Sequence, residues 1–99
     1  MQGLWRDATM SAQIAMHPFF AEHVRDTDAI AVEGQDVGEC LADLVRQYPP
    51  LEKKLFEKKG KLRGYIAIYV NGKSTVPNTL THPISDGDEI RIIVFSAGG

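Results

Sequence analysis

Cysteine is nearly absent from this 99-residue chain, with Cys40 alone. A single thiol excludes a disulfide framework and a multi-cysteine zinc site. Neither sign of charge dominates: 11 Lys and Arg stand against 13 Asp and Glu, a formal net charge of −2. That balance gives no general attraction to nucleic acid or to an anionic membrane surface. Long apolar runs are missing too, since Ile92 to Phe95 is far short of the roughly 18–20 residues a spanning helix needs. The first residues hold one Arg and no apolar h-region, unlike a secretory signal. No phosphate-cradling glycine loop, dinucleotide turn or nucleophile elbow is present. His17, His23 and His82 are scattered without metal-ligand spacing and read as satisfied or solvated, so no metal is expected. What remains is 43% hydrophobic and 24% charged residues, the make-up of one small soluble domain, expected in the cytoplasm.

Residues 1–10, with the only Trp at position 5, show neither helical nor strand period and are expected to form a mobile N-terminal tail. The domain is expected over residues 11–95, with 96–99 a flexible C-terminal tail. From Ser11 the pattern becomes regular. Ala12, Ile14 and Met16 alternate with polar or small neighbours as in a strand, which Pro18 ends. Ile30 and Val32 mark a second short strand over 27–33, and the acidic stretch 22–28 reads as a loop. Asp36 followed by Glu39 resembles a capping box. Val37, Leu41, Leu44, Val45 and Tyr48 then form one helical stripe, stopped by Pro49-Pro50. Leu51 and Leu55 at i,i+4 predict a second helix over 50–59, with Gly60 as its C-terminal cap.

Tyr65 to Val70 is a strand by alternation, and Asn71-Gly72 is the preferred pair for a type I′ hairpin turn, with a return strand over 73–76. Pro77 and Pro83 bracket an irregular crossing segment, and Asp86-Gly87-Asp88 makes a turn into a last strand, Glu89 to Phe95. Two strands, a helical crossover and two further strands, with a right-handed connection, give an α+β roll. A mixed sheet then packs on one main helix plus a short second helix, the β-grasp or ubiquitin-like arrangement. Ile66, Ile68, Val70, Ile90, Ile92 and Val94 are expected to face the core.

Few residues offer chemistry of their own. Cys40, on the helix beside Leu41, reads as a small buried hydrophobe. Asp86 and Asp88 flank a glycine and read as turn residues. Charge is segregated: residues 52–63 hold six basic and two acidic side chains, whereas 22–43 hold one basic and seven acidic. Such a distribution orients a protein partner, or simply solvates two faces. Tyr65, Tyr69, Ile93 and Phe95 share the outward side of the sheet and form a candidate partner-binding surface. The last strand runs on into Ser96-Ala97-Gly98-Gly99. Without a Cβ, a terminal glycine pair passes through a channel that larger residues would block, delivering the α-carboxylate of Gly99 to another protein's active site. A carboxylate is a poor electrophile and needs activation first, most simply as an acyl-adenylate.

Three stretches carry a resemblance to a known family: Tyr69-Val70-Asn71-Gly72, the block Ile84-Ser85-Asp86-Gly87-Asp88-Glu89-Ile90, and the terminal Ala97-Gly98-Gly99. Together with the helix from Val37 to Tyr48 they resemble the MoaD/ThiS-type sulfur carriers over nearly all of residues 11–99. The resemblance implies a carrier rather than an enzyme, of the kind that also serves as the small subunit of molybdopterin synthase. It implies that Gly99 is adenylated and converted to a thiocarboxylate, with Gly98, Ala97 and Ser96 as the slender tail. The implied partners are a ubiquitin-activating-type adenylating enzyme that uses ATP, a sulfur donor protein and a sulfur-accepting synthase. No cofactor is bound by the carrier itself. The segment 60–71 is similar to carriers for cysteine biosynthesis and to molybdopterin synthase small subunits. Both commonly carry a proline before the tail, where this chain has Ile93-Val94-Phe95-Ser96.

Two other functions fit the same residues. A ubiquitin-like modifier would use the activated Gly99 to form an isopeptide with a target lysine. A passive β-grasp binding module would make no chemical use of the tail.

Overall fold

The structure, a computed structural model, describes residues 11–15, 29–58 and 60–94. Alternation of apolar and polar side chains places β1 at Ser11–Ala15 and β2 at Ile30–Glu33, with Ala12, Ile14, Ile30 and Val32 buried. The main helix α1 spans Val37–Gln47 and a short α2 spans Leu51–Leu55. There follow β3 (Phe56–Lys58), β4 (Lys61–Leu62), β5 (Ile66–Val70), β6 (Lys73–Ser74) and β7 (Glu89–Val94). Five strands form one mixed sheet in the order β2-β1-β7-β5-β6, in which β7 runs parallel to β1 and antiparallel to β5. This is the β-grasp arrangement that the sequence predicts. The helices cover one face of the sheet, where Leu41, Leu44, Leu51 and Leu55 pack with Ile14, Ile90 and Ile92, all fully buried.

The start of α1 follows from its first residues. Asp36 Oδ1 accepts the Glu39 N–H at 2.8 Å, as a capping box requires, while Glu39 Oε1 reaches one residue further back to the Gln35 N–H, also at 2.8 Å. The next free N–H groups, of Val37 and Gly38, donate to the carbonyls of His82 and Leu80 in the crossing segment. At Gly34 a Cβ would lie 2.7 Å from the Cys40 nitrogen, so only glycine lets the chain turn this closely into the helix.

The second helix is shorter than its sequence pattern predicts. Over 50–59 the helix stops at Leu55, Phe56 turns extended (φ −118°, ψ 136°), and β3 pairs with β4 as a small hairpin. Gly60, at φ +78°, is the turn of that hairpin and not a helix cap. The cause is competition for carbonyls. Arg63 donates its backbone N–H to the Leu55 carbonyl at 2.8 Å and its Nε to the Lys53 carbonyl at 2.7 Å, the acceptors a longer helix would need for residues 57 and 59. The return strand after the Asn71-Gly72 turn is also shorter, Lys73–Ser74. Thr75 beyond it is buried with its hydroxyl donating to the Ile68 carbonyl at 2.8 Å.

Two turns lock together at one end of the sheet. Asn71 and Gly72 take positive φ (52° and 83°), as a type I′ turn demands. The Asn71 side chain donates from Nδ2 to Asp88 Oδ1 at 2.9 Å and accepts the Glu89 N–H at 3.0 Å. Asp88 Oδ2 accepts the Ser85 N–H at 2.8 Å, closing the turn around Gly87. The Gly87 N–H in turn donates to the Ser11 carbonyl, and the Gln13 N–H donates to the Asp88 carbonyl. The registers of β1, β5 and β7 thus meet at one polar knot.

The edge strand β2 is covered by side chains of α1. Asp43 Oδ2 accepts the Glu33 N–H at 3.0 Å, and Gln47 Nε2 donates to the Ala31 carbonyl at 2.9 Å. Partial burial pushes the Asp43 carboxyl up, but hydrogen bonds from Arg46, the Glu33 N–H and Gln47 outweigh it and hold the group below its usual range.

Asp88→Ala strips acceptors from Ser85 and Asn71 at once and is expected to cost about 1–3 kcal/mol in urea unfolding. Because the Asp43 pKa is lowered by folding, its contribution is complete above about pH 4 and is lost as pH falls toward its folded value. Asp43→Asn should flatten the stability–pH curve in that acid window, its deficit against the native chain being full near neutrality and shrinking as pH falls, as thermal melts across pH will show.

Candidate functional site

The sheet face turned away from the helices is set by strand parity. Because Ile68, Val70, Ile90 and Ile92 point into the core, Ala67, Tyr69, Arg91 and Ile93 point outward. Register pairs Ala67 with Ile93 and Tyr69 with Arg91, while Ala15 of β1 lies opposite Arg91 on the other side. Tyr69 and Ile93 are half-buried, and Arg91 is exposed with Nη2 3.5 Å from Glu89 Oε2. The result is a small apolar surface with one guanidinium at its centre. Tyr65 is half-buried and packs against the core cluster. Sequence parity puts Arg91 on this face but assigns it no role; its central position needs the β1–β7 register, which no local pattern reveals.

The face sits directly on β7, the middle strand of five. Beyond Val94 the chain continues as Phe95-Ser96-Ala97-Gly98-Gly99. Phe95 and the tail from Ser96 to Gly99 lie outside the described residues, as do residues 1–10, the acidic loop 22–28, His17 and His23. The described site therefore consists of the strand that leads to the tail and the surface beside it.

The remaining chemically capable groups have structural work. Cys40 is fully buried among Val37, Leu41 and Leu44; burial first, then the carboxylates of Asp36, Asp43 and Glu39, pushes its thiol up to about 11. Asp86 accepts the Ser11 N–H, and Asp88 belongs to the turn knot. The His82 carbonyl, rather than its ring, takes part in capping α1. Among the described residues, no three His, Cys, Asp or Glu side chains gather as a metal-binding group, and no helix is long and apolar enough to cross a membrane.

A family model described as the ThiS family matches residues 19–99. The chain belongs to the ThiS family. The match takes in Asn71, Ser85, Gly87, Asp88 and Glu89 of the turn knot, the outward face of β7 and the terminal glycine pair. Solved structures agree in fold. Small archaeal modifier protein 1 from Methanosarcina acetivorans superposes with a TM-score of 0.80 at 26% identity, covering 92% of this chain and 98% of that one. Its counterpart from Haloferax volcanii gives 0.75 at 27% identity over 90% and 99%. One chain of the Amycolatopsis orientalis BexX/CysO complex gives 0.79 at 24% identity over 89% and 99%, a likeness of fold. A search of curated proteins returns no match. ThiS-family membership and these neighbours make the chain a small ubiquitin-like protein of the sulfur carrier and modifier type.

With its thiol buried and its pKa raised, Cys40 is expected to resist alkylation at neutral pH in the native protein and to label fully in denaturant. Mass spectrometry after iodoacetamide treatment checks this; fast native labelling would make the thiol a reactive group.

Proposed function

We propose that the chain is a sulfur carrier in which Gly99 is the reacting residue and Gly98, Ala97 and Ser96 form the slender lead into a partner's active site. The observation that carries this reading is the ThiS-family match running through residue 99, which includes the glycine pair itself. In the proposed cycle, a carboxylate oxygen of Gly99 attacks the α-phosphorus of ATP on a ubiquitin-activating-type enzyme. Pyrophosphate leaves and an acyl-adenylate forms. A hydrosulfide or equivalent sulfur nucleophile, supplied by a donor protein, then attacks the acyl carbon and AMP departs with the displaced oxygen. The product is a thiocarboxylate on Gly99, which a synthase consumes for molybdopterin or cysteine biosynthesis. The carrier itself holds no cofactor, and its use of ATP through a partner suits the cytoplasm.

The outward face positions the tail in this scheme. Tyr69, Ile93 and Phe95 supply apolar contact, Tyr65 adds to the rim, and Arg91 offers a charged hydrogen-bond donor to a partner carboxylate. That one neighbour comes from a complex of two proteins supports the idea of a docking partner. A second reading has an observation of its own: the neighbours described at 26% and 27% identity are named as archaeal modifier proteins. In that reading the same acyl-adenylate passes to a lysine amine and forms an isopeptide.

The test is intact and fragment mass after incubation with ATP, sulfide and a host extract active on a known carrier. Replacement of one oxygen by sulfur on the C-terminal fragment is expected, and its absence would sink the carrier reading. Conjugates that survive reductant and denaturant and require Gly99 would instead support the modifier. Gly99→Leu, which keeps the carboxylate but adds bulk, should abolish adenylation without lowering Tm. Ile93→Glu should slow adenylation about tenfold or more by spoiling the docking face, again with little change in Tm.

A further inference from the structure

On the helix side of the molecule, away from the outward sheet face, lies a hollow of about 340 Å³. Gly38, Ala42 and Val45 form one wall, spaced i, i+4 and i+7 on α1; Phe56, Gly60 and Leu80 form the others, with Glu52 as the one charged side chain of the lining. Gly60 and Leu80 also line a second hollow of about 440 Å³ that contains Lys61 and Arg63. An apolar recess therefore opens directly onto a basic one, with the β3–β4 hairpin between them.

The charge on this hairpin works against its own stability. Lys58 lies opposite Lys61 in the ladder, and like charges facing each other across strands destabilise the pair. The ion pairs Arg46–Asp43 and Arg91–Glu89 do not involve Lys53, Lys58 or Lys61. All three are exposed. Against Glu52 and Glu57, the six basic side chains of residues 52–63 leave a net positive charge beside the apolar recess, which calls for a negative partner with an apolar anchor.

We infer that this paired recess is a docking site for a segment of another protein in which a bulky apolar residue is flanked by Asp or Glu. The apolar residue enters between α1, Phe56 and Leu80, and the flanking carboxylates meet Lys58, Lys61 and Arg63. Nucleic acid suits the site less well. Among the described residues the recess offers one aromatic ring, Phe56, which is half-buried against the core, and no second ring on which bases would stack. The acidic side chains at α1 would not supply these flanks from a second copy of this chain, because Asp36 and Glu39 serve in capping and Asp43 holds the Glu33 N–H, Arg46 and Gln47. Because the sheet separates this recess from the outward face, both can be occupied together, and the inference does not rest on the chemistry of Gly99.

The test is an NMR titration of the full chain with a short synthetic peptide, Leu-Phe flanked on both sides by Asp and Glu. Localised shifts at Gly38, Ala42, Val45 and Leu80 are expected, lost when Ser-Ser replaces Leu-Phe or Lys replaces the acids. Lys58→Glu separates binding from stability. Turning a like pair into an unlike one should raise Tm, while binding weakens about tenfold. The double variant K58E/K61E should return Tm toward the starting value and weaken binding further. Absence of localised shifts, undiminished binding by Lys58→Glu, or tighter binding of an RNA oligomer at the same amides would overturn the inference. So would concentration-dependent dimer formation through these residues in sedimentation without peptide.

Discussion

The side chains of Asn71 and Asp88 fix more of this molecule than any hydrophobic contact does. Apolar packing is tolerant of small shifts, and a strand displaced by two residues would still bury the same face. The amide and the carboxylate are not tolerant. One bridges the tip of the β5–β6 hairpin to the start of β7, and the other closes the turn that feeds β7, whose backbone is held to β1. Once this knot is tied, the partners of Ile90, Ile92 and Val94 follow residue by residue. The outward row of Tyr69, Arg91 and Ile93 follows with them.

The knot also gives a physical account of why the stretches that carry the family resemblance occur together. Asn71-Gly72 and Ser85-Asp86-Gly87-Asp88-Glu89 lie far apart in the chain, yet they are one structural unit. Their side chains complete each other's hydrogen bonds, and neither turn is fully satisfied alone. They define the scaffold, whereas the chemistry proposed for Gly99 belongs to the tail.

Much of the fold was legible because it rests on short-range rules. The period of two in β1, β5 and β7, the carboxylate cap at Asp36, the Asn-Gly turn and the stripe from Val37 to Tyr48 all express themselves within a few residues. The failure at 50–59 has the opposite cause. Leu51 and Leu55 satisfy a helical pattern, but Arg63 competes for the Lys53 and Leu55 carbonyls, and no window around residue 55 contains that arginine. The Glu39 carboxylate capping Gln35 instead of Asp36 is a smaller case of the same kind. At the candidate site, parity identified Tyr69 and Ile93, while the central place of Arg91 depended on a parallel pairing with a strand about 75 residues away.

The placement of β7 has a mechanical consequence. A protein whose end is gripped by another machine experiences tension along its last strand. In an edge strand, such a pull can open the ladder one rung at a time. Here Val94 ends a strand flanked by β1 and β5, so a pull along its axis loads the bonds on both sides in shear, and they must yield together. A partner can haul on the chain's end, and let go of it, without unravelling the domain that delivered it.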